Sequence, residues 1–238
     1  PYAVPTQGGE ALRELAGKPA LLQPRLAGKH VSQPNAHHCA EIGAWLARLH
    51  LATREQILER RSDRGLDWML EEGPVLALEL HDEQLPLLRD SLHEVAELKA
   101  RILALPRANL HADLFIDNAL FDGNQLAGVI DFYNACSGPM LYDLAITLND
   151  WCSAADQRLE GPRAQALLGA YAALRPFTRA EAELWPAMLR IACLRFWLSR
   201  LIAARRFQGR DVLVKDPGEF QRRLAQRQQV ALALPFAF

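Results

Sequence analysis

His111-Ala-Asp-Leu-Phe-Ile-Asp-Asn118 places three ionisable side chains and one amide immediately before a strand-like run. Ala119-Leu-Phe121 reads as a strand, Asp122-Gly-Asn-Gln125 as a turn and residues 126–132 as the returning strand, because an Asp-Gly pair between apolar runs is a strong hairpin signal. The hairpin reverses the chain and returns Ile130-Asp131-Phe132 toward the end of the loop that Asn118 closes. Asp113, Asn118 and Asp131 are therefore expected to converge. Asp and Asn are also ordinary loop residues, so a solvated acidic loop is the competing reading of this stretch.

Residues 1–29 look extended, with pieces at 2–5, 11–16 and 20–22 separated by turns at Gln7-Gly8-Gly9 and Gly17-Lys18-Pro19, a small β-hairpin region. From Ala36 the pattern changes: Ile42, Trp45, Leu46 and Leu49 recur at helical spacing, with Asn35 as N-cap. Helical patterns recur over 84–105, 164–174, 179–205 and 217–228. The hairpin at 119–132 is the only other β signal. The expectation is an α+β chain, mainly helical, with one hairpin embedded in it and a remnant hairpin before it, without internal repeats.

Hydrophobic residues make up 50% of the 238, enough for one sizeable core or two modest lobes. With 27 Lys and Arg against 28 Asp and Glu the net charge is −1, so neither nucleic acid nor an anionic membrane is expected as a partner. Cys39, Cys136, Cys152 and Cys193 lie far apart, without a Cys-x-x-Cys pair or zinc-type spacing, and read as reduced thiols of a cytoplasmic protein. No apolar run approaches the ~20 residues that span a bilayer. His37, His38 and Cys39 would point about 100° apart on a helix, which opposes joint metal ligation. The chain opens Pro1-Tyr2-Ala3-Val4, without an initiator Met, which suggests processing or a piece of a longer protein.

The spacing His111-x-Asp113-x-x-x-x-Asn118, followed by a hairpin and Asp131, resembles the catalytic loop of protein kinases and their small-molecule relatives. The resemblance implies phosphoryl transfer from ATP to an alcohol. Asp113 would orient the attacking hydroxyl and accept its proton, and Asn118 and Asp131 would hold Mg²⁺, which prefers hard oxygens and keeps several waters. His111 would support the loop backbone rather than act as a base. Pro139-Met-Leu-Tyr-Asp143-Leu-Ala145 resembles the Pro-x-x-Asp-Leu-Ala segment of the aminoglycoside phosphotransferase and choline kinase superfamily, which implies that Asp143 accepts hydrogen bonds from that loop. Asp131-Phe132-Tyr133 departs from Asp-Phe-Gly and no Ala-Pro-Glu follows, which disfavours a protein kinase with a regulated activation loop.

The string GVIDFYNACSGPMLYDLAITLNDWC, Gly128 to Cys152, is similar to homoserine kinases of this superfamily. Gly28 followed by Ile42-Gly-Ala-Trp-Leu-Ala-Arg-Leu-His50, Leu194-Arg-Phe-Trp-Leu-Ser-Arg-Leu201 and Lys215-Asp-Pro-Gly-Glu-Phe220 agree, so the resemblance covers nearly the whole chain. It implies conversion of L-homoserine to O-phospho-L-homoserine, a step toward threonine. A homoserine zwitterion needs a cation for its carboxylate and an acceptor for its ammonium; Arg195, Arg200 and Asp150 are the candidates. Solvent-facing positions are the competing reading for both arginines, and Trp151 and Trp197 read as core. Asp117 stays open between a homoserine contact and a solvated carboxylate. The rival functions are kinases for choline, ethanolamine, hydroxylysine, methylthioribose or an aminoglycoside, or an inactive nucleotide-binding relative. Oligomeric state is not readable.

By the same resemblance Leu21-Leu-Gln-Pro-Arg-Leu-Ala-Gly28 is the nucleotide hinge, with the Pro24 carbonyl accepting from the adenine amino group and the Leu26 N–H donating to the ring. Proline is tolerable where only its carbonyl is used. This divides the chain into 1–28, the end of a small lobe with the hinge, and 29–238, a helical large lobe. Kinases of this type carry a phosphate-covering loop and a strand Lys paired with a helix Glu before the hinge. Only residues 1–23 precede Pro24; Lys18 sits in a Gly-Lys-Pro turn and Gln7-Gly-Gly-Glu10 reads as another turn. The expectation is a chain lacking the first part of its small lobe and inactive by itself.

Overall fold

The computed structural model describes residues 2–235; Pro1, part of the extended reading of 1–29, lies outside them. The first hairpin pairs β1 (Arg13–Leu15) with β2 (Lys18–Ala20). Its two-residue turn is Ala16-Gly17, both with positive φ (52° and 75°), the twist that suits a tight hairpin. The turn is therefore one residue earlier than expected, and Lys18 is a strand residue opposite Leu15. This segment is largely exposed, with Leu15 at 72% and Leu22 at 67%. Lys29 and Phe121 exchange two backbone hydrogen bonds of 2.9 Å, which tie it to the rest of the chain. Gly28 makes that approach feasible: its φ is 92°, and a Cβ would stand 2.8 Å from the Phe121 carbonyl oxygen.

Helix α1 (Ala36–Thr53) begins at Asn35, whose side chain accepts from the His38 N–H while His38 Nδ1 accepts from the Asn35 N–H, a reciprocal cap. It packs on α5 (Gly161–Leu174) at very short range, because Gly43 has no Cβ to meet the Leu167 carbonyl. Helices α3 (Leu85–Leu103), α6 (Arg179–Arg206) and α7 (Pro217–Arg227) lie where periodicity places them. Thr178 and Glu181 form the capping box of α6.

Two helices escape that reading. α2 (Leu66–Ala77) contains Gly73 and Pro74, both helix-weakening, and is held by packing on α3, where Gly73 admits the Leu92 side chain. α4 (Met140–Trp151) is buried on nearly every face and so carries no amphipathic stripe. A second antiparallel pair, β3 (Arg107–Leu110) with β6 (Cys136–Pro139), corrects the expectation of a single embedded hairpin. The expected hairpin is β4 (Ala119–Asp122) with β5 (Gln125–Val129), turning at Gly123 with φ 56°.

β3 feeds the loop 111–118, β4–β5 turns behind it, and β6 leads directly into α4, which runs beneath the loop. The core gathers Trp151, Trp185, Trp197, Tyr171 and Phe220 around α4 and α6. Among the described residues no helix is long and apolar enough to cross a membrane.

Candidate active site

The loop leaves β3 through Ala112, a non-glycine residue at φ 63°, a conformation costing on the order of 1–2 kcal/mol. Asp143, in the first turn of α4, compensates: its two oxygens accept from the N–H groups of His111 (2.7 Å) and Ala112 (2.8 Å). Burial alone would raise the Asp143 carboxyl, but His50 at 3.2 Å and these N–H groups outweigh it and hold it below the ordinary carboxylate value. A carboxylate only accepts, so His50 Nε2 carries the hydrogen; its Nδ1 meets the Tyr171 hydroxyl at 2.8 Å.

His111 is fully buried. Its Nε2 donates to the Ile130 carbonyl at 2.9 Å and its Nδ1 accepts from the Asp113 N–H at 3.3 Å. Both ring nitrogens are thus spent on backbone, which leaves no lone pair for a proton from a ligand.

Asp113 faces a cleft of about 350 Å³ that Asn118, Asp131, Arg64, Arg195 and Lys215 also line. A larger cavity of about 490 Å³ lies between α2, α3 and the β3–β6 pair and is lined by Leu110 and Tyr142 but by none of the loop residues 111–118. The chemistry is in the smaller one. Asp113 Oδ2 accepts from the Asn134 amide at 3.1 Å, and Oδ1 stands 3.9 Å from the Arg195 guanidinium. Asn118 donates its amide to the Asp113 carbonyl at 2.7 Å, and its side-chain oxygen has no hydrogen bond among the described residues. Asp131, in the left-handed region at φ 68°, starts the short turn Phe132–Asn134. Burial, then the neighbouring charge of Asp113, pushes its carboxyl up.

An amide oxygen and a carboxylate crowded by further negative charge suit a hard divalent cation. Among the described residues no three His, Cys, Asp or Glu side chains form a metal cage, so a cation here would depend on water and phosphate oxygens for its remaining ligands.

The other candidates are distributed differently. Asp117 is exposed and paired with Lys215 at 2.9 Å. Arg200 lies over Phe220 and is bound to Glu219 (2.6 Å) and the Asp216 carbonyl (2.9 Å). Asp150 does not line the Asp113 cleft; it lines an adjoining cavity of about 390 Å³, where Oδ2 accepts from the Ile116 N–H at 2.9 Å and Oδ1 stands 3.7 Å from Arg223. Burial pushes the Asp150 carboxyl up against the opposing pull of Arg223. Arg195 is 3% exposed, with its guanidinium 3.7 Å from the centre of the Phe196 ring. Leu26 packs onto Gly128 of β5, and neither its N–H nor the Pro24 carbonyl has a hydrogen-bond partner among the described residues. His50, Arg64 and Arg223 have no sequence signal that joins them to the loop. Asn134 had one, three residues past Asp131 in Asp-Phe-Tyr-Asn.

Residues 2–177 match the family model of the phosphotransferase enzyme family, and the chain belongs to that family. Its kinase-like α+β fold is shared with an aminoglycoside phosphotransferase from Alicyclobacillus acidocaldarius (20% identity, TM-score 0.66, 95% of this chain and 74% of that one). A choline/ethanolamine kinase family protein from Mesorhizobium loti has the same fold (18% identity, TM-score 0.65, 87% of this chain and 68% of that one). Over its whole length the chain is 68% identical to a homoserine kinase of Pseudomonas aeruginosa, of which it spans 75%. It is 43% identical to the homoserine kinase of Methylobacillus flagellatus, with 97% of this chain and 73% of that protein aligned.

Proposed function

We propose that the protein phosphorylates the hydroxyl of L-homoserine at the expense of ATP, giving O-phospho-L-homoserine and ADP, in the cytoplasm. The observation that supports this most is the convergence of Asp113, Asn118 and Asp131 on one cleft in a chain 68% identical to a homoserine kinase. Asp113, oriented by Asn134, lies against the substrate hydroxyl. It takes the proton as the hydroxyl oxygen bonds to the γ-phosphorus and the bond to ADP breaks.

Asn118 and Asp131 would hold Mg²⁺, which when bound neutralises charge on the phosphates. The Pro24 carbonyl and Leu26 N–H, both without partners among the described residues, are suited to the adenine edge. Residues 1–28 then serve as the end of the nucleotide-side lobe and its hinge, and 29–238 as the catalytic and substrate lobe. Four free, buried thiols suit a reducing compartment.

Asp113→Asn, made in the full-length protein, tests the reading with coupled ADP detection across a panel of homoserine, choline, ethanolamine and hydroxylysine. Homoserine is expected to be the preferred acceptor, and the variant to lose about 10²–10⁴-fold in kcat with ATP binding kept within about threefold. Preference for another acceptor would overturn the substrate assignment. Equal loss of ATP binding would make Asp113 a folding residue.

A further inference from the structure

The cations of the Asp113 cleft differ in how they are satisfied. Lys215 has Asp117 and Arg200 has Glu219. Arg195 and Arg64 have no salt bridge within hydrogen-bond reach and their guanidinium groups make no hydrogen bond among the described residues; the closest carboxylate to Arg195 is Asp113, at 3.9 Å, too far to accept from it. A guanidinium carries five donors and no acceptor, so one that is 3% exposed without an acceptor is costly. Burial, with added repulsion from Arg64, pulls the Arg195 pKa down.

Two hydroxyls share the deficit. Ser199 Oγ, one turn further along the same face of α6, and Tyr142 Oη, on α4, are buried with no partner. The Tyr142 phenol is close enough to Arg195 and Arg64 to feel both charges. Donors from α6 and the 60–65 loop thus gather beside the loop carboxylate, with Tyr142 behind Arg195 on the side of the larger cavity, and none of them has a hydrogen-bond acceptor among the described residues.

We infer that this cluster is the subsite for the α-carboxylate of the acceptor, with Arg195 as its anchor, Ser199 as a hydroxyl donor and Arg64 at the mouth. The inference rests on the homoserine reading and explains its selectivity. In homoserine three carbons separate the hydroxyl oxygen from the carboxylate carbon, so one small molecule reaches Asp113 with its hydroxyl and Arg195 with its carboxylate. An amino alcohol without that carboxylate leaves the cluster unpaired. A site built to bond a polar group rejects analogues lacking it far more strongly than an apolar pocket rejects a missing methylene.

The test compares kcat/KM for L-homoserine and L-homoserinol, which keeps the hydroxyl and the ammonium and replaces the carboxylate by a hydroxymethyl group. The unsubstituted full-length protein is expected to prefer homoserine on the order of 10³-fold, and Arg195→Met to reduce that preference to below about tenfold, chiefly through KM for homoserine. Equal loss on both substrates would overturn the subsite and place Arg195 on the transferred phosphoryl group or on Asp113. Arg64→Gln, at an exposed position that leaves the core intact, is expected to raise KM for homoserine about tenfold with kcat kept and the homoserinol KM unmoved; a parallel rise for both would count against the subsite. If homoserine is turned over no better than homoserinol, only the subsite falls. If homoserine is not turned over while another acceptor is, the functional reading falls with it.

Discussion

Asp143 and Asp150 lie two turns apart on α4 and hold the two ends of one loop, yet their carboxyl pKa values are pushed in opposite directions. Asp143 is the more deeply buried, and burial weighs against its charge. Two N–H groups and His50 are aimed at it, and they win. Asp150 receives one N–H, and the Arg223 nitrogen nearest to it is 3.7 Å away and makes no hydrogen bond. There desolvation wins. The number of donors aimed at a buried carboxylate, more than its depth, decides in which direction its pKa moves. The better-held end is the one that must keep Ala112 in the left-handed region and Asp113 in the cleft.

The largest test of this contrast is Asp143→Asn. An amide offers one oxygen where two N–H groups and His50 need acceptors, so the loss should be about 3 kcal/mol or more in urea unfolding, with turnover falling in parallel. A smaller loss than that of Asp150→Asn would break the comparison.

The pH dependence of stability separates the two residues further. The native Asp143 carboxyl titrates below its unfolded value of about 4, so its contribution is complete above pH 4 and disappears as the pH falls through the native pKa. The native Asp150 carboxyl titrates above that value, so its contribution favours the folded state in acid and fades as the pH rises above about 4. His50→Gln should move acid unfolding to higher pH by weakening the hold on Asp143. Asp150→Asn should remove the decline above pH 4 and leave acid unfolding in place. Calorimetric scans between pH 3 and 7 would show whether the two variants act on opposite sides of pH 4.

Asp150→Asn at neutral pH is expected to change stability by less than about 1 kcal/mol, since the amide oxygen still accepts from the Ile116 N–H. The smallest effect belongs to Lys215→Ala. It removes an exposed pair with Asp117 and should shift thermal unfolding by less than about 0.5 kcal/mol equivalent.

What could be read in advance follows from how local each feature is. Asn35 and the helix after it, the β4–β5 turn and the 111–118 loop are specified by residues close in sequence. α4 was hidden because it is apolar all round, and α2 because Gly73-Pro74 interrupts its helical signature. The β3–β6 pair joins four-residue strands 25 residues apart at their nearer ends, with only tertiary contact to reveal it. Lys18 moved from turn to strand because Ala16 and Gly17 take the positive φ values themselves. The acceptor candidates divided for a similar reason: Arg195 and Arg200 are one turn and a residue apart on α6, but only Arg200 meets a carboxylate from α7.

The sequence by itself determined which groups meet at the cleft, because a short loop and a tight hairpin carry Asp113, Asn118 and Asp131 together through nearby backbone geometry. The tertiary structure decided their electrical surroundings: which carboxyl beneath the loop is held below its ordinary pKa and which above it, and which arginine is left without a hydrogen-bond acceptor among the described residues. Those states depend on His50, Arg223, Glu219 and Tyr142, and only the packing of α1, α4, α6 and α7 brings such distant donors and acceptors within a few ångströms of one another.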